Sequence, residues 1–138
     1  MIRNCLVSLG LLLLCQLGFA QTCPSVQDIK HALPVGWKAI DSDDGGELSP
    51  GREVQFRKLA QEFALVEWID TNHKTGSIHC YYRDKNGSDL EAFLTRDNFI
   101  PKNTNDYWYQ VSGSMQCAAG MDKCNFETGL AQNQLARR

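Results

Sequence analysis

Cys23, Cys80, Cys117 and Cys124 constrain the fold of this chain more than any other residues, provided that it is exported. The first twenty residues argue that it is. Arg3 supplies a short positive region, Cys5 to Leu17 is an apolar-rich run of 13 residues, and Gly18-Phe19-Ala20 offers small residues at the −3 and −1 positions of a cut after Ala20. That is the pattern of a secretory signal peptide over 1–20. The run is short of the roughly 20 residues that a membrane-spanning helix needs. Neither Cys15 nor Cys23 follows the small-residue lipobox that a lipoprotein requires.

Cleavage would remove Cys5 and Cys15 and leave four cysteines in an oxidising compartment, where disulfides are the default. Four cysteines allow three pairings. Cys117 and Cys124 enclose only Ala118 to Lys123, a loop that can close locally, which leaves Cys23 to reach Cys80. A zinc site is the rival, but no C-x-x-C is present and export disfavours free thiolates.

The mature part has 138 − 20 = 118 residues, enough for one domain, expected over 21–128 with a flexible tail at 129–138. Removing Arg3 leaves 13 basic against 16 acidic residues, with no run of one sign. Nucleic acid and anionic membranes are therefore poor partners.

Along the chain, Ser25 with Asp28 three residues later reads as the cap of a short helix, and Val26, Ile29 and Leu33 share one face of it before Pro34 and Gly36. Trp37 to Ile40 reads as a first strand. Asp41 to Glu47 invites comparison with a calcium loop, but Gly45 and Arg52 stand where the fifth and twelfth positions need a ligand, so a solvated turn is expected. Val54 to Thr71 admits two strands with a bend, or a short helix leading into one strand. The β-branched and aromatic residues at both ends favour two strands, the second central and covered on each face. Gly76 to Tyr82 is the clearest strand, returned by a two-residue Asn86-Gly87 turn into Asp89–Thr95. Asn98 to Asp106 reads as a polar loop, and Tyr107 to Cys117 as a last strand. The expected fold is α+β, a short N-terminal helix packed on an antiparallel sheet of four to six strands and stapled by disulfides.

Chemistry-bearing patterns are sparse. His79 adjoins Cys80, but neighbouring strand residues point to opposite faces, so the two do not make a nucleophilic pair. G-x-S-x-G, H-E-x-x-H and phosphate-cradling glycine loops are lacking. Glu67, Glu91 and Asp97 are the carboxylates from which a hydrolase pair would be drawn. Tyr107, Trp108 and Tyr109 are the candidate binding surface, with the two tyrosines opposite Trp108, whereas Trp37 and Trp68 read as core. Asn86-Gly87-Ser88 is formally a glycosylation sequon. No catalytic residue, metal or cofactor is expected.

Cys23-Pro24-Ser25 followed by Ile29, then Trp37 and Phe56, the Gly76-x-Ile78-x-Cys80-x-Tyr82 strand, Asn86-Gly87, Trp108, and Cys117 with Cys124-x-Phe126 together resemble a family of small exported bacterial proteins. That family is a domain of unknown function (DUF3757-like), frequent in bacteria that grow inside host cells, and it includes the EirA-like proteins. The resemblance covers roughly Cys23 to Phe126. It implies a non-enzymatic periplasmic accessory protein of a type IVB (Dot/Icm) secretion system, supporting intracellular replication through protein–protein contacts. Its partners would be envelope proteins of the machine, reached through a partner at the periplasmic face of the inner membrane, with a homo-oligomer expected. The other reading is a secreted, extracellular module that binds glycan or peptidoglycan, or inhibits a cell-wall or host enzyme.

Overall fold

The computed structural model describes residues 21–70, 75–102 and 106–129. The expected signal peptide, most of the expected tail and His73 lie outside the described residues. Helix α1 (Val26–His31) opens the fold, with the Ser25 hydroxyl accepting from the Asp28 amide at 3.1 Å as the capping pattern demands. Strand β1 (Lys38–Asp41), helix α2 (Pro50–Leu59) and strands β2 (Glu62–Asp70), β3 (Gly76–Arg83), β4 (Asp89–Pro101), β5 (Tyr109–Val111), β6 (Ser114–Cys117) and β7 (Phe126–Thr128) follow. All pairings are antiparallel, in the order β1-β4-β3-β2-β6-β5, with β7 on the far end of β4. The α+β, disulfide-stapled architecture is as expected, with two helices rather than one and seven strands rather than four to six among the described residues.

Both extra elements have physical reasons. The stretch before β2 is a helix and not the first of two strands. Ser49 caps it, Pro50 sits at the first helical turn, and Glu53 lies 3.6 Å from Arg57 one turn on. Val54 and Phe56 only mimic strand alternation. Phe56 is the helix's one buried residue, and Val54 is exposed. Arg57 also donates to the carbonyls of Lys30 and His31 at 3.3 and 3.1 Å, so α2 supplies a cation to the C-terminal end of α1.

The last segment is a hairpin, not one strand. Ser112 and Gly113 both have positive φ, 26° and 89°, and a two-residue turn of this hand needs that at both positions. The β3–β4 connection differs in the other direction. It is five residues long, Asp84 to Ser88, with Gly87 alone left-handed (φ 78°), and the Asp84 carboxylate accepts from the amides of Asn86 and Ser88. Residues Asn98 to Pro101, expected in a loop, extend β4. A break in register at Asn98 (φ 69°) turns Phe99 into the core, where its carbonyl accepts from Trp68 Nε1 at 2.6 Å.

One face of the sheet carries the core. Ile78, Cys80 and Tyr82 of β3, Val66 of β2, Leu94 of β4 and Phe126 of β7 are fully buried there with Ile29 of α1, and Phe56 of α2 is buried in the same cluster. Trp37 and Trp68 join this cluster, as the sequence suggests. The Tyr82 hydroxyl donates to the Pro24 carbonyl at 2.7 Å, next to the Cys23–Cys80 disulfide, so two links hold the N-terminal segment to β3. Cys117–Cys124 closes the local loop.

The Asp41–Glu47 turn is only partly solvated. Residues Ser42 to Glu47 are exposed, but Asp41 is buried. The Asp43 amide and then the Arg52 side chain hold its carboxyl below the ordinary carboxylate range. This turn anchors α2 to β1.

Candidate functional site

The second face of the sheet is built by the opposite phase of the same alternation. Residues paired across antiparallel strands share a face, so the registers define rows. Lys38, Thr95, His79, Glu67, Gln116 and Tyr109 form one row across six strands. At the usual interstrand spacing that row is roughly 24 Å long. Ile40, Phe93, Tyr81 and Leu65 form the next row. Ile69, Ser114 and Val111 flank it on the other side. Among the described residues no helix lies over this face: Ile29 and Phe56 place both helices on the other one. The expectation that β2 is covered on each face is therefore corrected. Leu65 and Ile69 are only half-buried because long neighbouring side chains, not a second layer, shield them.

Glu67 lies at the centre. Its Oε2 accepts from the Ser114 hydroxyl and from Gln116 Nε2, each at 3.0 Å, and its Oε1 accepts from the Tyr81 hydroxyl at 3.3 Å. These bonds tie β6, β2 and β3 together on the outer side. His79 Nδ1 stands 4.0 Å from the same Oε1, and its ring stacks on Phe93 with centroids 4.4 Å apart. Tyr81 packs against Phe93 at 5.3 Å. Burial, with Glu67 beside it, pushes the Tyr81 hydroxyl up to about 12, so the phenol stays neutral and donates. Asp97 accepts from Ser77 at 2.6 Å and adds a second negative charge near His79.

Burial is the main influence on His79 and holds its pKa below the ordinary value of 6.5, against the opposing pull of Glu67 and Asp97. The unfolded chain then takes up a proton more readily than the folded one. His79 thus contributes stability above the unfolded value, and that contribution is lost as pH falls through the depressed folded value. The urea midpoint is expected to drop between about pH 7.5 and about pH 5.5, and to drop less in His79→Gln. Equal drops in the two proteins would refute this.

The three residues expected to form a binding surface separate. Trp108 is 7% exposed and belongs to the core, with Nε1 donating to the Asn125 carbonyl at 2.8 Å. It is removed from the surface. Tyr107 and Tyr109 are 49% and 47% exposed, on the opposite side from Trp108 as the alternation suggests. Tyr107 sits 5.4 Å from the Lys123 ammonium, and Tyr109 ends the outer row on edge strand β5. Cys80 is buried in its disulfide while His79 faces out, so the two side chains are separated as expected. Of the three carboxylates, Glu67 and Asp97 both act on His79, whereas Glu91 is exposed further along β4.

Sequence reasoning missed Tyr81, Phe93 and Gln116. The signal was present in β3, where Ser77, His79 and Tyr81 alternate against Ile78, Cys80 and Tyr82, but the partner strands' registers are needed to bring the row together.

A cavity of about 360 Å³ lies on the helical side, lined by Leu48, Arg52, Gln55, Phe56 and Leu59 with the start of β4. Among the described residues no group of three or more His, Cys, Asp or Glu is placed to hold a metal ion. No described helix is long and apolar enough to cross a membrane. No family model, curated protein or solved structure matches the chain.

Proposed function

We propose that the protein is a non-enzymatic accessory protein of the periplasm that works by docking a protein partner on the outer face of its sheet. The observation that carries the reading is the polar row from Lys38 to Tyr109 with the aromatic and aliphatic Ile40, Phe93, Tyr81 and Leu65 beside it, a surface that no helix among the described residues covers. The saturated bonding of Glu67 supports a rigid recognition surface over a catalytic one, since both oxygens are engaged by the protein itself. The two disulfides belong to an oxidising, exported environment. The resemblance described above supplies the partner: an envelope component of a type IVB secretion machine, with intracellular replication as the process served.

A photoreactive phenylalanine analogue in place of Tyr109 tests this in living cells. It is expected to give a discrete adduct with an envelope protein, while the same group at Leu59, on the helical side, gives none. Silence at Tyr109, or equal adducts from both positions, would overturn it. A glycan or peptidoglycan strand is the second reading, favoured by Tyr81, Phe93 and Tyr109 lying on one open face with the Gln116 amide. In the same experiment it gives an adduct with sacculus and none with protein.

A further inference from the structure

The outer face is not uniform. Two register breaks fall on either side of the end of β3. Pairing with β2 skips between Phe63 and Leu65, and pairing with β4 skips between Tyr81 and Arg83. Register breaks of this kind bend strands and open the pleated surface. A cavity of about 310 Å³ lies at that place, its lining including Ser42, Ala64, Leu65, Tyr81, Arg83 and Asp89, with Tyr82 and Leu90 from the core side. Its size is at the lower end of the roughly 300–1,000 Å³ that small-ligand pockets occupy.

The lining has two parts of different chemistry. Leu65, Ala64 and the Tyr81 ring are apolar, and the Tyr81 hydroxyl is already directed to Glu67. Ser42 and Arg83 supply polar groups to the same lining. Arg83 Nε is held at 3.0 Å from Asp89 Oδ1, which fixes one edge of the guanidinium. A guanidinium carries five N–H donors in a planar fork, and among the described residues this is the side-chain bond that Arg83 makes. The remaining donors are free for a planar, two-oxygen acceptor. Asp89, the only negative group of the lining, has a side chain 80% exposed, so solvent screens it well.

We propose that this depression binds an apolar group carrying a carboxylate, with the apolar part on Leu65 and Tyr81 and the carboxylate on Arg83. The C-terminal residue of a partner chain and a free apolar amino acid derivative share that chemistry. The site rests on the reading of the outer face as a docking surface and adds what it recognises there.

The test is an amide-resolved NMR titration of the disulfide-intact protein with N-acetyl-leucine, N-acetyl-leucinamide and a short peptide ending in leucine. The acid and the peptide are expected to shift Ala64, Leu65, Tyr81 and Arg83. Loss of a charge-assisted bond predicts binding about tenfold weaker or more for the amide, and likewise for the acid on Arg83→Gln. Arg83 is partly exposed, so that variant is expected to keep the wild-type spectrum elsewhere, which the same titration reports. Tighter binding of the peptide than of N-acetyl-leucine identifies a chain end as the ligand; equal binding identifies the free acid. An amide that binds as well as the acid, or no shifts with any of the three, overturns the site. Neither overturning result bears on an adduct at Tyr109, so the two readings fail separately.

Discussion

Cys80→Ser is expected to destabilise the protein by roughly 4 kcal/mol, the chain-entropy value for a loop of this length. The disulfide spans a sequence separation of 57, from the segment before α1 to the middle of β3. Without it the unfolded chain recovers that loop's freedom, and the N-terminal segment keeps the Tyr82–Pro24 bond as its second link to β3. The serine hydroxyl would also lie in a fully buried position, where an unpaired polar group carries its own penalty. Total stabilities of small domains are of order 5–15 kcal/mol, so this loss is a large share. Urea unfolding should show a much lower midpoint and export should yield little protein. The Cys23→Ser, Cys80→Ser double variant should be no worse than either single one. A Cys80→Ser protein with a wild-type midpoint would contradict the assignment.

Phe126→Ala is expected to cost about as much, roughly 3–5 kcal/mol by the usual range for a buried phenylalanine. Its ring is fully buried and meets Trp37 and Phe99 edge-on, with centroids 6.3 and 5.1 Å apart. Its backbone faces Pro101 across β4 and exchanges both hydrogen bonds with Gln21, each at 2.9 Å. The cavity would therefore open where β7, the extended end of β4 and the start of the described chain meet. Phe126→Leu, which fills part of that space, should recover a measurable fraction of the midpoint. If Ala and Leu give the same midpoint, packing at this site is not what holds β7.

These two residues also show what was legible beforehand. The disulfides could be read because an even set of cysteines behind an expected export leader has few solutions, and only Cys117–Cys124 closes a short loop. The β3 strand could be read because its period-two pattern is clean over eight residues. The Ser25 cap announced α1 for the same kind of reason, a strong local signal. Helix α2 hid because it buries a single residue, so no 3.6-residue apolar period exists and only Ser49-Pro50 marks it. The end of β4 hid behind Asn98 and Pro101, since a bond from Trp68, thirty-one residues away, helps to fix it. Ser112 hid the β5–β6 turn because a non-glycine residue holds the left-handed position there. The outer face was the least legible. Every one of its residues is ordinary alone, and the surface exists only through registers that local patterns do not encode. Of the residues expected to bind, Tyr109 lies on that face, and Trp108 was drawn into the core by the same alternation that exposes its neighbours.

The connectivity of the two disulfides bears on how the protein is made. Cys23 bonds Cys80 and Cys117 bonds Cys124, so these four cysteines are joined in chain order, first with second and third with fourth, the order in which an exported chain would present them. An oxidant acting on the emerging chain meets one correct pair before the third cysteine appears. If the leader that holds Cys5 and Cys15 is removed on export, the native pattern would be reached by oxidation in chain order, with no mispaired bond to break.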